Sequence, residues 1–327
     1  MKAVLCKNWG TPQDLVIENI PEPQISGDNQ VLIEVKAVGL NFPDVLLIAG
    51  KYQAKPPFPF IPGGELAGIV RAVGKEVKHL NVGDHVAAFC GTGALAEQIV
   101  LEQERVVKIP QAMPWAEAAA FCVVYGTSYL ALKHRANLQP KEVLLVHGAA
   151  GGVGLASVQI GKAMGATVIG TASTPEKITI LQQNKIDLAI NYQQENFAEV
   201  VKNFTQGKGA NVILDPVGGD VADLSMKCIA FEGRLLVVGF TGGRIQQIPA
   251  NLFLLKNAAQ VGVFWSDYAK RKPALLQQLL SELLQMYQEQ KIKPFISQIF
   301  DFENFATALQ TIADRKAIGK IVVKLKE

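Results

Sequence analysis

A glycine-rich turn is the segment of this sequence whose residue types most directly indicate chemistry. The residues from Val143 to Gly154 read VLLVHGAAGGVG, so a strand-like run enters the turn and a helix-like run leaves it. A bound phosphate needs close approach of the backbone, free amide donors and the positive end of a helix dipole, and such a turn supplies all three. Glycines that only allow tight helix–sheet packing are the alternative, but one helix crossing does not need a cluster of three. We therefore predict that a dinucleotide binds the turn through Ala150, Gly151, Gly152, Val153 and Gly154.

The elements around this turn alternate between strand and helix patterns. Short β-branched runs such as Val143–His147 and Thr167–Thr171 are separated by segments of helical periodicity, among them Leu155–Met164. Alternation at this spacing indicates parallel βαβ units, so we predict an α/β domain with a doubly wound parallel sheet. The fingerprint of the turn is incomplete, because Ala149 stands at its first glycine position, and the surrounding series is what makes the site specific.

The first third of the chain has a different pattern, rich in proline, glycine and strand-like segments. The predicted strands there include Lys2–Cys6, Leu15–Asn19 and Val31–Gly39. An apolar, helix-like segment follows at Trp115–Leu132, with a predicted break near Gly126, and a strand returns at Ile318–Lys324. This order fits a β-rich domain, an inserted nucleotide-binding domain and a return to the first domain.

The tip of the strand after the turn indicates which nucleotide binds. An NAD site usually has Asp or Glu there, bonded to the ribose hydroxyls, whereas Thr167–Thr171 is followed by Ala-Ser-Thr at 172–174. Small hydroxyls followed by Lys177 suit a 2′-phosphate, so we predict NADPH as the cofactor. Alone, Lys177 is typical of a solvated surface lysine, and Glu176 is typical of an acid that stabilises a helix N-terminus.

Composition restricts the class of protein. The 327 residues include 32 Lys and Arg against 29 Asp and Glu, a formal net charge of +3. A nearly neutral chain gives no reason to expect nucleic acid or an acidic membrane surface as a partner. Hydrophobic residues make up 49% of the chain, enough for a large core, but the apolar runs are too short to span a bilayer. The four cysteines are scattered without a Cys-x-x-Cys pair, and we expect a reduced, cytoplasmic enzyme.

Short motifs along the whole chain follow one another in a specific order and spacing. They are VGLNFPD at 38–44, GKY at 50–52, PGGELAG at 62–68, GDHV at 83–86, the glycine turn, DPVGG at 215–219 and GKIV at 319–322. With these motifs the chain resembles the zinc-independent quinone oxidoreductases of the medium-chain dehydrogenase/reductase superfamily. The resemblance implies a GroES-like, β-rich catalytic domain at residues 1–124 and 266–327, a Rossmann domain at 125–265, and NADPH bound between them.

The same resemblance implies roles for individual residues. Asn41 matches a polar residue near the nicotinamide ribose, and Thr127 matches a residue on the interdomain helix that meets the cofactor. The other cofactor positions it implies are Ser173, Lys177 and Tyr192 around the adenosine 2′-phosphate, and Gly239, Phe240 and Arg315 along the cleft. Tyr52 matches an aromatic residue at the substrate pocket, where its hydroxyl would donate a hydrogen bond to a carbonyl. A half-buried loop aromatic is an equally good interpretation of Tyr52; Tyr52 and Asn41 are the predicted catalytic residues.

The sequence departs from the zinc-dependent relatives at their metal ligands. Asn41 stands at the position of their cysteine ligand, Gly64 replaces the histidine of Gly-His-Glu, and no four-cysteine lobe follows Cys90. Without these thiolates and this imidazole, a tetrahedral zinc site cannot be assembled from the usual positions. We therefore predict no metal.

The chemistry is then expected to come from the cofactor, with the protein responsible for orientation. The leading prediction is NADPH-dependent hydride transfer to a quinone, a small-molecule partner. An enoyl or alkenal reductase acting on α,β-unsaturated carbonyls shares the scaffold and differs in pocket shape. A non-catalytic, crystallin-like NADPH-binding protein is a third possibility, whereas the net charge of +3 argues against RNA binding.

The predicted last strand of the Rossmann sheet, Gln260–Trp265, is apolar and contains neither Lys nor Pro. An edge strand of this kind invites pairing with another chain. Relatives that this chain resembles join such edges across a two-fold axis, so we expect a homodimer. The alternative is that a loop or the helix predicted at Pro273–Gln290 covers the edge within one subunit.

Overall fold

The computed structural model of the chain describes residues 1–325. These residues form fifteen β-strands: β1 Lys2–Leu5, β2 Val16–Asn19, β3 Gln30–Leu40, β4 Glu65–Val73, β5 His85–Phe89, β6 Gln98–Glu102, β7 Val106–Lys108, β8 Val143–Val146, β9 Thr167–Ala172, β10 Leu188–Asn191, β11 Ala210–Asp215, β12 Ile229–Val237, β13 Ala259–Gly262, β14 Ile296–Asp301 and β15 Lys320–Lys324. They also form eleven α-helices: α1 Phe42–Ile48, α2 Trp115–Ala119, α3 Val124–Tyr129, α4 Gly152–Ala163, α5 Pro175–Gln183, α6 Phe197–Phe204, α7 Gly219–Ser225, α8 Ala250–Lys256, α9 Trp265–Arg271, α10 Pro273–Gln288 and α11 Phe305–Ala313. No α-helix within this part of the chain is long and apolar enough to cross a bilayer.

The chain divides into two compact units. The first contains Met1–Val124, Ser266–Leu284 and the chain from Pro294 onward, and the second contains Tyr125–Trp265 and Gln285–Lys293. The structure groups 285–293 with the second unit, whereas the family resemblance implies a first domain that includes this segment. Two hydrogen bonds explain the difference: Gln159 Nε2 donates to the Lys293 carbonyl, and the Lys293 amide donates to Gln159 Oε1, both at 2.9 Å.

The first unit is built on a mainly antiparallel sheet with the strand order β14-β15-β3-β4-β5-β7; β6 also pairs with β3, and β1 and β2 form a separate ribbon. The β14–β15 pair is parallel. In β3, apolar side chains at every second position enter the core, and Val31, Ile33 and Val35 are at most 2% exposed. This alternation is typical of a strand with one buried face. The predicted β-rich domain is confirmed.

The second unit contains a sheet of six parallel strands in the order β10-β9-β8-β11-β12-β13. The chain starts at the centre of the sheet and extends first to one side and then to the other, which is the doubly wound arrangement. The central strand β8 has Leu144, Leu145 and Val146 fully buried, as expected for a parallel strand covered on both faces. The predicted Rossmann sheet is confirmed, and the carboxyl ends of its strands lie at one edge.

Two predicted elements have different bounds in the structure. The helix predicted across Trp115–Leu132 is interrupted between Ala119 and Val124, before Gly126 rather than at it. Gly126 is inside α3, and a Cβ added there would lie 2.5 Å from the Trp265 ring, so close packing explains this glycine. The strand predicted at Gln260–Trp265 ends at Gly262, because α9 begins at Trp265.

Candidate functional site

The glycine turn connects β8 to α4 in the second unit. Its first glycine, Gly148, has a φ of +56°, a conformation that favours glycine. Gly151 precedes the helix with a φ of −80°, and a Cβ added to Gly154 would overlap the Gly148 carbonyl oxygen. The first bond closing the helix runs from the Leu155 amide to the Gly151 carbonyl, at 2.8 Å. The earlier amides of α4 have no acceptor within the helix and are available to an anion.

The carboxyl end of β9 lies next to this turn, since the Ala149 amide donates to the Thr171 carbonyl at 3.0 Å. Beyond the strand, Ser173 is half-buried, and Thr174 caps α5 by accepting a hydrogen bond from the Lys177 amide at 3.3 Å. No acidic side chain stands between the end of β9 and the start of α5. Tyr192 follows the neighbouring strand β10 and is 45% exposed. The predicted 2′-phosphate residues therefore belong to one end of this sheet.

Helix α3 holds Thr127 near the same turn. Thr127 is 7% exposed, and its neighbour Ser128 donates to the Val153 carbonyl at 3.1 Å. Ser157, one turn further along α4, donates to the Ser128 hydroxyl at 2.9 Å. These bonds tie α3 to the first turns of α4.

The carboxyl ends of β11 and β12 complete this edge of the sheet. Asp215 closes the turn after β11 by accepting hydrogen bonds from the Val217 and Gly218 amides at 2.8 and 3.0 Å. Gly239 and Phe240 follow β12, and the Phe240 ring lies so close to Gly218 that a Cβ added to Gly218 would be 2.8 Å from it. Eight of the predicted cofactor residues thus follow strands of this sheet at their carboxyl ends; they are Ala150–Gly152, Ser173, Lys177, Tyr192, Gly239 and Phe240.

The first unit contains a buried cluster of polar side chains where β3, β4 and β15 meet. Its members are Asn41, Asp44, Glu65 and Lys320, and none is more than 9% exposed. Backbone pairing brings them together: β3 ends at Leu40, opposite Ile321 of β15, and Gly39 lies opposite Glu65 of β4. Asn41 then leads into α1, whose first turn contains Asp44.

The Lys320 ammonium is at the centre of this cluster. It donates to the Leu40 carbonyl at 2.6 Å, to Asn41 Oδ1 at 2.7 Å and to Glu65 Oε1 at 2.9 Å. The side-chain nitrogen of Asn41, Nδ2, donates to Glu65 Oε1 at 2.9 Å and to the Gly39 carbonyl at 3.2 Å. The second oxygen of Glu65 accepts the Val123 amide at 2.8 Å.

Asp44 has a perturbed pKa within the cluster. Burial raises the pKa of its carboxyl to about 7, against the lowering effects of the Asn41 amide and the Lys320 charge. Asp44 Oδ2 accepts a hydrogen bond from the backbone amide of Asn41 at 2.7 Å. The carboxyl therefore titrates close to neutral pH.

Tyr52 and Arg315 are the other predicted site residues in this unit. The Tyr52 side chain is partly buried and hydrogen-bonds Ser266; burial raises the pKa of its phenol. The phenol is consequently protonated at neutral pH. Arg315 follows α11 on the exposed surface with a φ of +59°. The assignments of Tyr52, Asn41 and Arg315 to a functional site stay predictions.

Sequence reasoning missed the roles of Glu65, Asp44 and Lys320 in the cluster. The signal was present, since Lys320 precedes the apolar run Ile-Val-Val at 321–323 and Glu65 precedes Leu-Ala at 66–67. A charged residue beside a core strand is buried only when it has a partner. The pairing of Lys320 with Glu65, however, joins residues 255 positions apart and follows only from the sheet register. Among residues 1–325, no group of three His, Cys, Asp or Glu side chains has a metal-binding arrangement.

Comparison with known proteins agrees with this architecture. Residues 27–111 match the family described as the alcohol dehydrogenase GroES-like domain, and residues 152–283 match the family described as zinc-binding dehydrogenase. A quinone oxidoreductase-like protein 2 homolog from Nematostella vectensis is 44% identical over 100% of this chain and 89% of its own length.

Solved structures show the same relationship. The Escherichia coli quinone oxidoreductase complexed with NADPH has a TM-score of 0.91 and 27% identity, and covers 99% of this chain and 100% of that one. The CurK enoyl reductase has a TM-score of 0.91 and 29% identity over 99% of both chains. The chain belongs to the zinc-independent quinone oxidoreductase family of the medium-chain dehydrogenase/reductase superfamily.

Proposed function

We propose that this chain is an NADPH-dependent reductase that transfers hydride to a quinone without a metal. The observation that carries the proposal is the combination of a glycine turn at the start of α4 with an acid-free end of β9 in the same sheet. The experiment is steady-state oxidation of NADPH and of NADH with a panel of quinones. Turnover with a preference for NADPH supports the proposal, and turnover that prefers NADH opposes the cofactor assignment.

The residues of the turn fit a dinucleotide. A Cβ at Gly154 is excluded by the Gly148 carbonyl, whereas one at Gly151 would meet only the Gly148 carbonyl oxygen, at 3.4 Å. Packing inside the protein therefore does not require a glycine at position 151. A bound phosphate that must approach the backbone there would require one. Backbone amides at the start of the twelve-residue helix α4 supply donors for a diphosphate.

The region beyond β9 fits a 2′-phosphate better than two ribose hydroxyls. An acid that accepts hydrogen bonds from a ribose would stand at this strand end, and Ser173 and Thr174 stand there instead. The Thr174 hydroxyl caps α5 by accepting the Lys177 amide, and Ser173, Lys177 and Tyr192 are the side chains proposed to bind the phosphate. A hydroxyl and an ammonium are both suitable phosphate donors.

NADPH, when bound, supplies the hydride, and the chain's own residues position and polarise the acceptor. Ser266 and Tyr52 share a hydrogen bond, and burial raises the pKa of the Tyr52 phenol, which therefore stays protonated at neutral pH. We propose that this hydroxyl donates a hydrogen bond to a substrate carbonyl oxygen. Its raised pKa makes it a hydrogen-bond donor rather than an acid that is consumed, and solvent or a ribose hydroxyl provides the proton of the product.

Enoyl reduction is the second candidate function. The similarity to the CurK enoyl reductase favours this function, because that protein has the same fold and its name describes it as an enoyl reductase. A panel containing both quinones and α,β-unsaturated carbonyls separates the two reactions by their kcat/KM values. Retained NADPH binding without turnover on either class would favour a non-catalytic binding protein.

We also propose a homodimer formed at the edge of the second unit's sheet. Strand β13 is the last strand in that sheet, and it pairs with β12 on one side. Nearby, Leu254 and Leu255 of α8 are 75% and 73% exposed, and Phe264 is 45% exposed. Val263, by contrast, is 5% exposed and bonded through its amide to the Val237 carbonyl, so it is a core residue and not a probe of this edge.

Light scattering at micromolar concentration tests the homodimer. The double variant Leu254→Asp/Leu255→Asp should be monomeric, because it places two charges on the apolar surface. Val82→Asp is the matched control, since Val82 is 62% exposed but lies in the first unit. A monomeric unmodified protein would contradict the dimer without affecting the proposed reaction.

The state of the cysteines supports a reducing, cytoplasmic compartment as part of the proposal. All four, Cys6, Cys90, Cys122 and Cys228, are buried free thiols. Burial raises the pKa of Cys122 well above its ordinary value. Unreactive, unpaired thiols are typical of proteins in which disulfides have no structural role.

A further inference from the structure

Lys320 is a buried cation whose partners are all fixed by the fold of the first unit. Its side chain is 4% exposed and that of its ion-pair partner Glu65 is 0% exposed. Lys320 begins β15, next to the last residue of β3 and the first residue of β4. Three strand ends thus converge on one ammonium group.

The ammonium has no donor left for a ligand. A lysine ammonium has three N–H groups, and Lys320 directs them at the Leu40 carbonyl, Asn41 Oδ1 and Glu65 Oε1, all within 2.9 Å. Lys320 therefore cannot bind substrate or act as a nucleophile while these bonds exist. Any effect it has on a reaction must pass through one of its partners.

Asn41 is the partner through which such an effect would pass. Both N–H groups of its amide are used, by Glu65 Oε1 and the Gly39 carbonyl. Its oxygen accepts one bond from Lys320, and a carbonyl oxygen has a second lone pair. An inverted amide would point an NH2 group at the ammonium, which is repulsive. The only hydrogen-bonding capacity that Asn41 retains is therefore that of an acceptor.

We propose that Lys320 is a positioning residue that fixes the amide of Asn41 so that this site offers an acceptor oxygen and selects a hydroxyl donor. The inference rests on the proposed function, and on the place near the nicotinamide ribose of NADPH that the family resemblance implies for Asn41. It goes further by stating that Asn41 is the hydrogen-bond acceptor in this contact and that Lys320 fixes the orientation of its amide. An acceptor oxygen suits a ribose hydroxyl and does not suit the oxygen of a substrate carbonyl.

The charge of the cluster explains why Glu65 is needed as well. Glu65 neutralises the ammonium, bonds the Asn41 amide with the same oxygen, and uses its other oxygen for the Val123 amide. A Cβ added to Gly39 would overlap the Ala119 carbonyl oxygen and lie 2.9 Å from Glu65 Oε1, so the backbone is closed around this carboxylate. Glu65 and Lys320 can be separated experimentally, because Glu65 bonds the side-chain nitrogen of Asn41 and Lys320 bonds its side-chain oxygen.

The experiment measures dissociation constants by cofactor fluorescence for NADPH and for an analogue whose nicotinamide ribose lacks both hydroxyls. The variants are Glu65→Gln, which keeps the ammonium, and Lys320→Met/Glu65→Gln, which removes it without leaving an unpaired charge. Lys324→Met is the control, because Lys324 lies on the same strand with its side chain 60% exposed. Thermal unfolding and binding of adenosine 2′,5′-bisphosphate show that each variant is folded.

The unmodified protein and the Lys324→Met control should bind NADPH more tightly than the analogue, by about tenfold for one hydrogen bond. Glu65→Gln removes a bond to the Asn41 amide and measures how much of this preference depends on Glu65 alone. The double variant should lose this preference while it still binds the bisphosphate, which a merely structural role for Lys320 would not produce. If the double variant keeps the preference of Glu65→Gln, the inference about Lys320 is wrong and the proposed function stands. If the unmodified protein does not bind NADPH, both the proposed function and the inference fail.

Discussion

Lys320 Nζ lies 2.9 Å from Glu65 Oε1, and this buried ion pair joins two residues that are 255 positions apart in the chain. Desolvation of two charges is costly, and removal of one partner leaves the other buried without a counter-charge. The pair is therefore a sensitive point for the stability of the first unit, separate from any effect on ligand binding.

Lys320→Met alone is expected to lower the free energy of unfolding by about 3–5 kcal/mol, the usual effect of breaking a buried ion pair. Urea denaturation measures this change. The double variant Lys320→Met/Glu65→Gln should recover much of the loss, because no charge is then left unpaired. Equal stability of the single and double variants would contradict the assignment of Lys320 and Glu65 as a mutually dependent pair.

Two glycines of the turn should respond differently to the same substitution. Gly154→Ala is expected to destabilise the protein and abolish NADPH binding, because the added methyl group overlaps the Gly148 carbonyl oxygen. Gly151→Ala should leave stability nearly unchanged, since its methyl group meets that oxygen at 3.4 Å, an ordinary contact. It should nevertheless weaken NADPH binding by obstructing approach to the amides of α4. Thermal unfolding and a fluorescence titration of each variant provide the comparison; unchanged NADPH affinity in Gly151→Ala would oppose the phosphate site.

Lys177→Ala should weaken NADPH binding more than NADH binding. The expected difference is about 1–3 kcal/mol, the contribution of a hydrogen bond to a charged group. Lys202→Ala is the matched control, because Lys202 is an exposed lysine on α6 of the same unit. Equal losses of affinity for NADPH and NADH would show that Lys177 does not contact the 2′-phosphate.

His147 should make stability depend on pH. Burial lowers the pKa of its imidazole from 6.5 to about 3. Ser225 donates to the Val221 carbonyl, so its oxygen accepts from His147 Nε2, while Nδ1 faces the Thr171 hydroxyl at 3.1 Å. The folded state keeps the imidazole neutral where the unfolded chain binds a proton. The stability from this group is therefore fully present above pH 6.5 and is lost as the pH falls towards 3.

The measurement is the difference in unfolding free energy between the unmodified protein and His147→Gln. This difference should decrease by up to about 1.4 kcal/mol per pH unit between pH 6.5 and 3. A difference is needed because Asp44 acts in the opposite direction: its raised pKa, about 7 against an ordinary 3.8, gives stability that is lost as the pH rises through that range. A difference that does not vary with pH would show that His147 is solvated in the folded state.

The fold could be predicted from local patterns where one physical requirement dominates. Alternating apolar residues specify β3, and the run from Val143 into the glycine turn specifies the nucleotide-binding strand, turn and helix. The glycine that predicts a break in this region, Gly126, is instead inside α3 and packs against the Trp265 ring, which is distant in sequence and leaves no local signal. The association of 285–293 with the second unit likewise depends on Gln159, whose bonds to Lys293 leave no local signal.

The candidate site shows the same division. The phosphate-binding turn and the acid-free end of β9 each consist of consecutive residues, so they could be identified from the sequence. The cluster around Lys320 is assembled from the ends of three strands, and its ion pair depends on the register of β15 on β3 and of β3 on β4. The sequence indicates that Asn41 and Gly64 are not zinc ligands. It does not indicate that the Lys320 ammonium bonds Asn41.

The oxidation of NADPH at 340 nm, followed with a panel of quinones and α,β-unsaturated carbonyls after exhaustive chelator treatment, tests the central claim most directly. The account predicts turnover with at least one quinone, faster with NADPH than with NADH and unchanged by the chelator. Retained NADPH binding without turnover on any member of the panel, or activity that is lost to the chelator and restored by zinc, would contradict it.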